Sequence, residues 1–294
     1  MKKHVLAVAL SFAGVSTFAA TVEGDSSDLA KVKPGQSTLF GSANAGLSFN
    51  NTSTVIDLAG GPVLQVSKAI ARGVEANGKS YIKGRDVNFL AGILLGDKKI
   101  AQVWHNEVSH DGASTSIHSA RQMIVPPLPF MPNFGGLVIG KVQGSAVYFG
   151  EWSPKGANFA DVASTDLNMG SAERTAWYSG ENPTKSMPTL VNAQYKVVGI
   201  HQHKPESPNV YSGVLTASYA SGGGDKNILT GSLTRGASTL AFNDVLIKAN
   251  GTFDNLGSTK NISGQFYNNA NALAGIYKTG TAAKDGVAFG GARR

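Results

Sequence analysis

From Arg174 to the C-terminus the chain is a succession of short alternating segments with no room between them for helices. Eight strand-like stretches follow one another, at 174–180, 190–200, 210–220, 227–234, 239–253, 260–267, 271–278 and 286–291. Val245, Ile247, Ala249, Gly251 and Phe253 alternate with Leu246, Lys248, Asn250 and Thr252. The alternation recurs at Ile262, Gly264 and Phe266, and at Val287, Phe289 and Gly291. A period of two marks a strand with one buried face. Glycines on the same side as aromatics suit the tapering interior of a narrow barrel, and eight strands is the number whose interior side chains can just fill. Connections are short, Gly222-Gly223-Gly224 among them, so the expected topology is up-and-down and antiparallel. The outward positions are Thr, Lys, Asn and Ser with no aromatic girdle, which argues against an outer-membrane barrel.

The N-terminal half is less regular. Residues 21 to about 50 are polar and glycine-rich. Thr54–Leu58, Val63–Val66, Val87–Leu95 and Lys99–Trp104 are expected as strands, with Gly96-Asp97 as a hairpin turn. Residues 67–72 are ambiguous between a strand and one helical turn. Leu137–Ile139 and Ser145–Trp152 are expected to close this half. Apolar periodicity fades between 154 and 172. The expected division is a signal segment at 1–20, an N-terminal β-rich handle at 21–165 and the barrel at 170–294, making an all-β protein.

Lys2 and Lys3, the apolar run Val5–Ala13 and the small residues around Ala19 and Ala20 form a secretion signal. Cleavage after Ala19 keeps small residues at both specificity positions. No run of about 18 apolar residues is available for a membrane helix. The chain has no cysteine, which excludes disulfides, thiolate metal sites, thiol catalysis and a lipid anchor. The expected mature protein is soluble, exported and monomeric. Its formal charge of +7 drops by two with Lys2 and Lys3, and the remaining positives are scattered rather than striped, so nucleic acid is not an expected partner.

Trp104–Gly136 is where ligand chemistry concentrates. It holds His105, His110 and His118, and then Ile124-Val125-Pro126-Pro127-Leu128-Pro129-Phe130-Met131-Pro132. Four prolines remove four backbone donors, so this run is neither helix nor central strand, and its apolar side chains must bury themselves or cover something. An imidazole beside a stiff apolar wall suits a flat, metal-centred ligand such as haem. His118, six residues before Ile124, is the first candidate for the iron ligand. His110 and His105 follow it, and two of the three together would make the iron six-coordinate. Leu128, Phe130 and Met131 are the expected wall, with Arg121, Lys98 and Lys99 as candidates for the propionates. The bland alternative is a loop packed on its own domain with surface histidines. A zinc site from the same histidines with Glu107 or Asp111 is a further alternative, since zinc takes about four N/O ligands.

His201-Gln202-His203 has the spacing of a metal pair, but Lys204-Pro205-Glu206-Ser207-Pro208 follows, so an exposed turn is expected. There is no nucleophile elbow, no His-Glu-x-x-His, no P-loop and no dinucleotide fingerprint, and no enzyme is expected.

The barrel half resembles the transferrin-binding-protein-like family of Gram-negative bacteria. The resemblance is carried by Arg174-Thr175-Ala176-Trp177-Tyr178-Ser179-Gly180, by Ala193-Gln194-Tyr195-Lys196-Val197-Val198-Gly199-Ile200, and by the ending Val287-Ala288-Phe289-Gly290-Gly291-Ala292-Arg293. Val147-Tyr148-Phe149-Gly150-Glu151-Trp152 is similar to the end of the handle domain in the family's haemophore branch, the hemophilins. The resemblance implies a handle that holds haem b through histidine and export through a Slam-type outer-membrane translocator. It also implies delivery of haem, free or from host haem proteins, to a TonB-dependent haem receptor. A host-protein-binding module on the same barrel is the competing expectation.

Overall fold

The computed structural model describes residues 21–87, 89–125, 133–255 and 261–294. The signal segment and the expected wall residues Leu128, Phe130 and Met131 lie outside these.

Ten strands come before the barrel: β1 (Val22–Ser26), β2 (Val32–Gln36), β3 (Ala45–Phe49), β4 (Ile56–Asp57), β5 (Ser80–Lys83), β6 (Lys99–His110), β7 (Ala113–Gln122), β8 (Gly136–Lys141), β9 (Val147–Ser153) and β10 (Thr175–Glu181). Short helices interrupt them, among them α1 (Leu64–Ala71), which continues a helical turn at Ala59–Val63, α2 (Gly84–Val87) and α3 (Phe89–Leu95). Seven strands form one sheet in the order β1-β10-β9-β8-β7-β6-β5, and β2-β3-β4 form a second, smaller one.

The chain then closes an antiparallel barrel from β11 (Leu190–Ile200), β12 (Tyr211–Tyr219), β13 (Ile228–Arg235), β14 (Ser238–Ile247), β15 (Thr252–Asn255), β16 (Ile262–Tyr267), β17 (Ala272–Lys278) and β18 (Gly286–Arg293). Each strand pairs with the next, and β18 returns to β11 with Arg293 opposite Tyr195. Val245, Ile247, Phe253, Phe266 and Phe289 fill the interior, as the alternation requires. Gly264 shows why the inward glycines are there: a Cβ on it would stand 2.3 Å from Phe253 Cζ.

Several expectations need correction. Thr175–Glu181, expected as the first barrel strand, lies between β1 and β9 in the N-terminal sheet. The barrel still has eight strands because residues 239–253 contribute two, with Ala249–Gly251 at the turn between them. Val63–Val66 and Val87–Leu95 are largely helical rather than extended. Val63, Val66, Ala69 and Ile70 have the spacing that puts side chains on one helical face, and Val66 and Ala69 are buried. Gly96 is a helix stop, not a hairpin turn. It has φ +51°, and its N–H donates to Gly92 O at 2.9 Å, closing the end of α3.

Both faces of the large sheet are covered. Trp104, Ile117, Val138, Phe149 and Tyr178 point from one face into the outer wall of the barrel, against Val198, Ile200, Tyr267, Ala274 and Ile276. On the other face the small sheet covers Ile139, Trp152 and Trp177, while α1 covers Ala101, Val103 and Ala120. Side chains on β6 and β7 therefore alternate between the barrel side and the α1 side of the sheet.

Candidate functional site

Asp111-Gly112 sets the geometry of the histidine stretch. Both residues have positive φ, +51° and +76°, the combination of a two-residue type I′ hairpin. This turn pairs His110 with Ala113 and, counting back along both strands, His105 with His118. The two rings stack with centroids 4.6 Å apart and planes 21° apart. They lie on the α1 face. His110 is an odd number of residues from His105, so it projects from the barrel face near the hairpin tip. The structure thus brings His105 to His118, while His110 projects from the other face.

His118 is 4% exposed. Its Nε2 lies 3.3 Å from Ser67 Oγ on α1, and Ser67 donates to Val63 O at 2.9 Å. With its proton committed there, the hydroxyl accepts from Nε2–H. His118 Nδ1 is buried and has no hydrogen-bond partner. Burial lowers the His118 pKa to about 4; His105 and Lys141 push the same way, while Glu107 and the Ile139 carbonyl oppose them. The ring is therefore neutral at physiological pH, the form that can donate a lone pair to a metal.

Glu107 stands next to His105 on the same face, with Oε1 3.0 Å from His105 Nε2. It accepts hydrogen bonds from Ser114 and Ser116. Partial burial raises its pKa, but the two serine hydroxyls and His105 outweigh that and hold the carboxyl below its ordinary range. Asp111, at the hairpin tip, is taken up by Arg294 instead. No group of three or more His, Cys, Asp and Glu placed to hold a metal ion is found among the described residues.

Arg121 is committed elsewhere. It is buried and donates to Gln102 Oε1 and to the carbonyls of Asn158, Asp161 and Asp166, pinning the 154–172 segment to the sheet. Lys99 Nζ sits 3.6 Å from the centroid of the Tyr81 ring, and Lys98 is exposed.

His203 reverses its expectation. It is 2% exposed, both ring nitrogens lack partners, and burial lowers its pKa to about 4. The reason lies far upstream. Glu151, fully buried on β9, accepts the backbone N–H of His203 at 2.6 Å and of Gln202 at 2.9 Å, together with Arg174 Nη1 at 2.8 Å. This draws the turn into the seam between sheet and barrel. Ser67 was also missed in the sequence, although the helical spacing around it was there to be read.

No protein-family model matches the chain. Among solved structures it is similar to HpuA from Kingella denitrificans in complex with human haemoglobin, with 12% identity over 67% of this chain and 89% of that one, at a TM-score of 0.34. It is also similar to a surface lipoprotein, with 11% identity over 65% of this chain and 81% of that one, at a TM-score of 0.30. Transferrin Binding Protein B from Haemophilus parasuis gives 14% identity over 64% of this chain but only 37% of that one, at a TM-score of 0.27. At these values the likenesses carry no functional argument. No helix among the described residues is long and apolar enough to cross a membrane.

Proposed function

We propose that the chain is a secreted haem-binding protein that captures haem b for iron acquisition and does no catalysis of its own. The observation that carries this reading is His118: a buried, neutral imidazole with one nitrogen unpartnered, stacked on a second histidine and six residues before a proline-rich apolar run. A buried polar atom without a partner is costly unless something supplies one, and haem iron is such a partner. His118 is the ligand in this reading. His118 would hold the haem iron if haem is bound, and His105 is stacked on it rather than placed to hold the metal as well. His105 then acts as the neighbour that holds the His118 ring. Leu128, Phe130 and Met131 are the wall proposed on sequence.

Export through a Slam-type translocator and delivery to a TonB-dependent haem receptor belong to the same proposal, as does action as a monomer. Titration of the purified protein with haemin tests the core of it. The expected result is a sharp Soret band that saturates at one haem per chain. Broad, non-saturating absorbance would leave a non-catalytic module that binds host iron proteins through their polypeptide.

A further inference from the structure

We infer that α1 is a lid over the His105–His118 pair, closed in this structure and lifting off the sheet to admit haem; the identity of the ligand rests on the reading above, while the motion stands on the helix itself. His118 is 4% exposed, so a porphyrin cannot approach either ring nitrogen until something moves. On the α1 side of the ring stands Ser67, with Oγ 3.3 Å from Nε2. Ser67 is itself exposed, so the imidazole lies one side chain from solvent.

A helix can leave this face without orphaning its backbone. It pairs its interior N–H and C=O groups with one another, whereas a strand pulled from a sheet leaves its own groups and its neighbours' unpaired. The grip of α1 is also small. Val66 and Ala69 are its buried side chains, packed with Ala101, Val103 and Ala120 of the sheet. Its far end is tied by Ser80 Oγ, which donates to Ala69 O at 2.9 Å, and by Arg72 Nη2, which donates to Asp86 Oδ2 at 2.8 Å and to Tyr81 O at 3.3 Å. Both Arg72 contacts are exposed.

The two ends differ as a hinged lid requires. At the near end Gly61 breaks the helical path with φ −92° and ψ −108°. It is buried against Phe40, where a Cβ would stand 3.0 Å from Cδ2, so this end is a pivot. At the far end Gly73 has φ +130° with nothing within 4 Å of where a Cβ would stand, and residues 72–78 are all exposed. That end is slack. Lifting α1 about Gly61 uncovers Ala101, Val103 and Ala120 beside the two histidines. These small apolar side chains make a floor on which a flat ring can lie.

Opening is measured without haem by reacting the full mature chain with diethyl pyrocarbonate and reading each histidine by peptide mass spectrometry. Val66→Ala removes most of the lid's grip, so the open fraction, and with it the His118 rate, should rise about tenfold. His203, buried in the seam on the sheet's other face, should keep its rate. A matching rise at His203 would mean general loosening and overturn the lid. Haemin supplies the second readout. Stopped-flow capture should be faster in Val66→Ala by about the same factor, because only the open fraction receives haem. Ser67→Ala removes the hydrogen bond that closes the lid on Nε2 and should speed capture about twofold to tenfold. Unchanged His118 labelling in Val66→Ala would overturn the lid, as would capture at the parent rate in both variants. Faster His118 labelling in Val66→Ala together with a parent that gives no saturating Soret band would support the lid and sink the haem reading.

Discussion

His105 and His118 stand directly opposite each other on β6 and β7, their rings stacked 4.6 Å apart, while His110 on the same hairpin faces the barrel. His118→Ala should therefore shift the Soret band and weaken haem, with unchanged far-UV circular dichroism. Weak binding should persist, because apolar burial of the porphyrin contributes about 25 cal/mol per Å² without any iron bond. His105→Ala should have the smaller effect, and His110→Ala none. A normal spectrum and affinity in the His105→Ala/His118→Ala double variant would rule this face out as the haem site.

How much of this was legible depended on how local each signal is. Alternation at Val245–Phe253 shows which side chains point inward, but it says nothing about partners. Thr175–Glu181 was recognisable as a strand yet was placed in the wrong sheet. The apolar run Val87–Leu95 has no period of its own, and Gly96 serves a hairpin or a helix end equally well. Asp111-Gly112, by contrast, fixed the whole register, and counting out from it would have separated His110 from His118. The burial of His203 was beyond reach, because it is set by Glu151, more than fifty residues upstream.

Arg174 and Glu151 form an ion pair whose two side chains are at most 1% exposed. Removing one partner from a buried pair strands the other charge, so Arg174→Leu should lower unfolding free energy by about 3–5 kcal/mol. Arg174→Leu/Glu151→Leu should recover only part of that, because Glu151 also accepts two backbone N–H groups. Urea denaturation of the single and double variants measures both steps.

Gly290 leaves space for Phe149 where the sheet meets the barrel. A Cβ there would stand 2.4 Å from Phe149 Cδ1, with further Phe149 ring atoms as the next contacts. Gly290→Ala should cost about 1–3 kcal/mol by overpacking. Phe149→Leu in the same chain should return part of that, measured as a non-additive double-mutant cycle. Strict additivity would mean that the backbone, not the ring, sets the limit.

The last prediction concerns acid. His203 keeps its ring neutral in the fold down to about pH 4, while an ordinary histidine in the unfolded chain is protonated below about 6.5. Between those values the unfolded state binds the extra proton, so stability falls as the pH drops. The contribution is fully present above about pH 6.5 and is lost by about pH 4, at a slope of up to roughly 1.4 kcal/mol per pH unit. His118 and His201, also lowered to about 4, add to the same trend. His203→Leu removes one of the three and leaves two unpartnered ring nitrogens fewer in the core. Leucine is close in volume, so the variant should be no less stable than the parent at pH 7.5 and increasingly more stable as the pH falls from 6.5 to 4.5. Urea midpoints across that range decide it: curves for parent and variant that run parallel would show that His203 does not couple folding to protons.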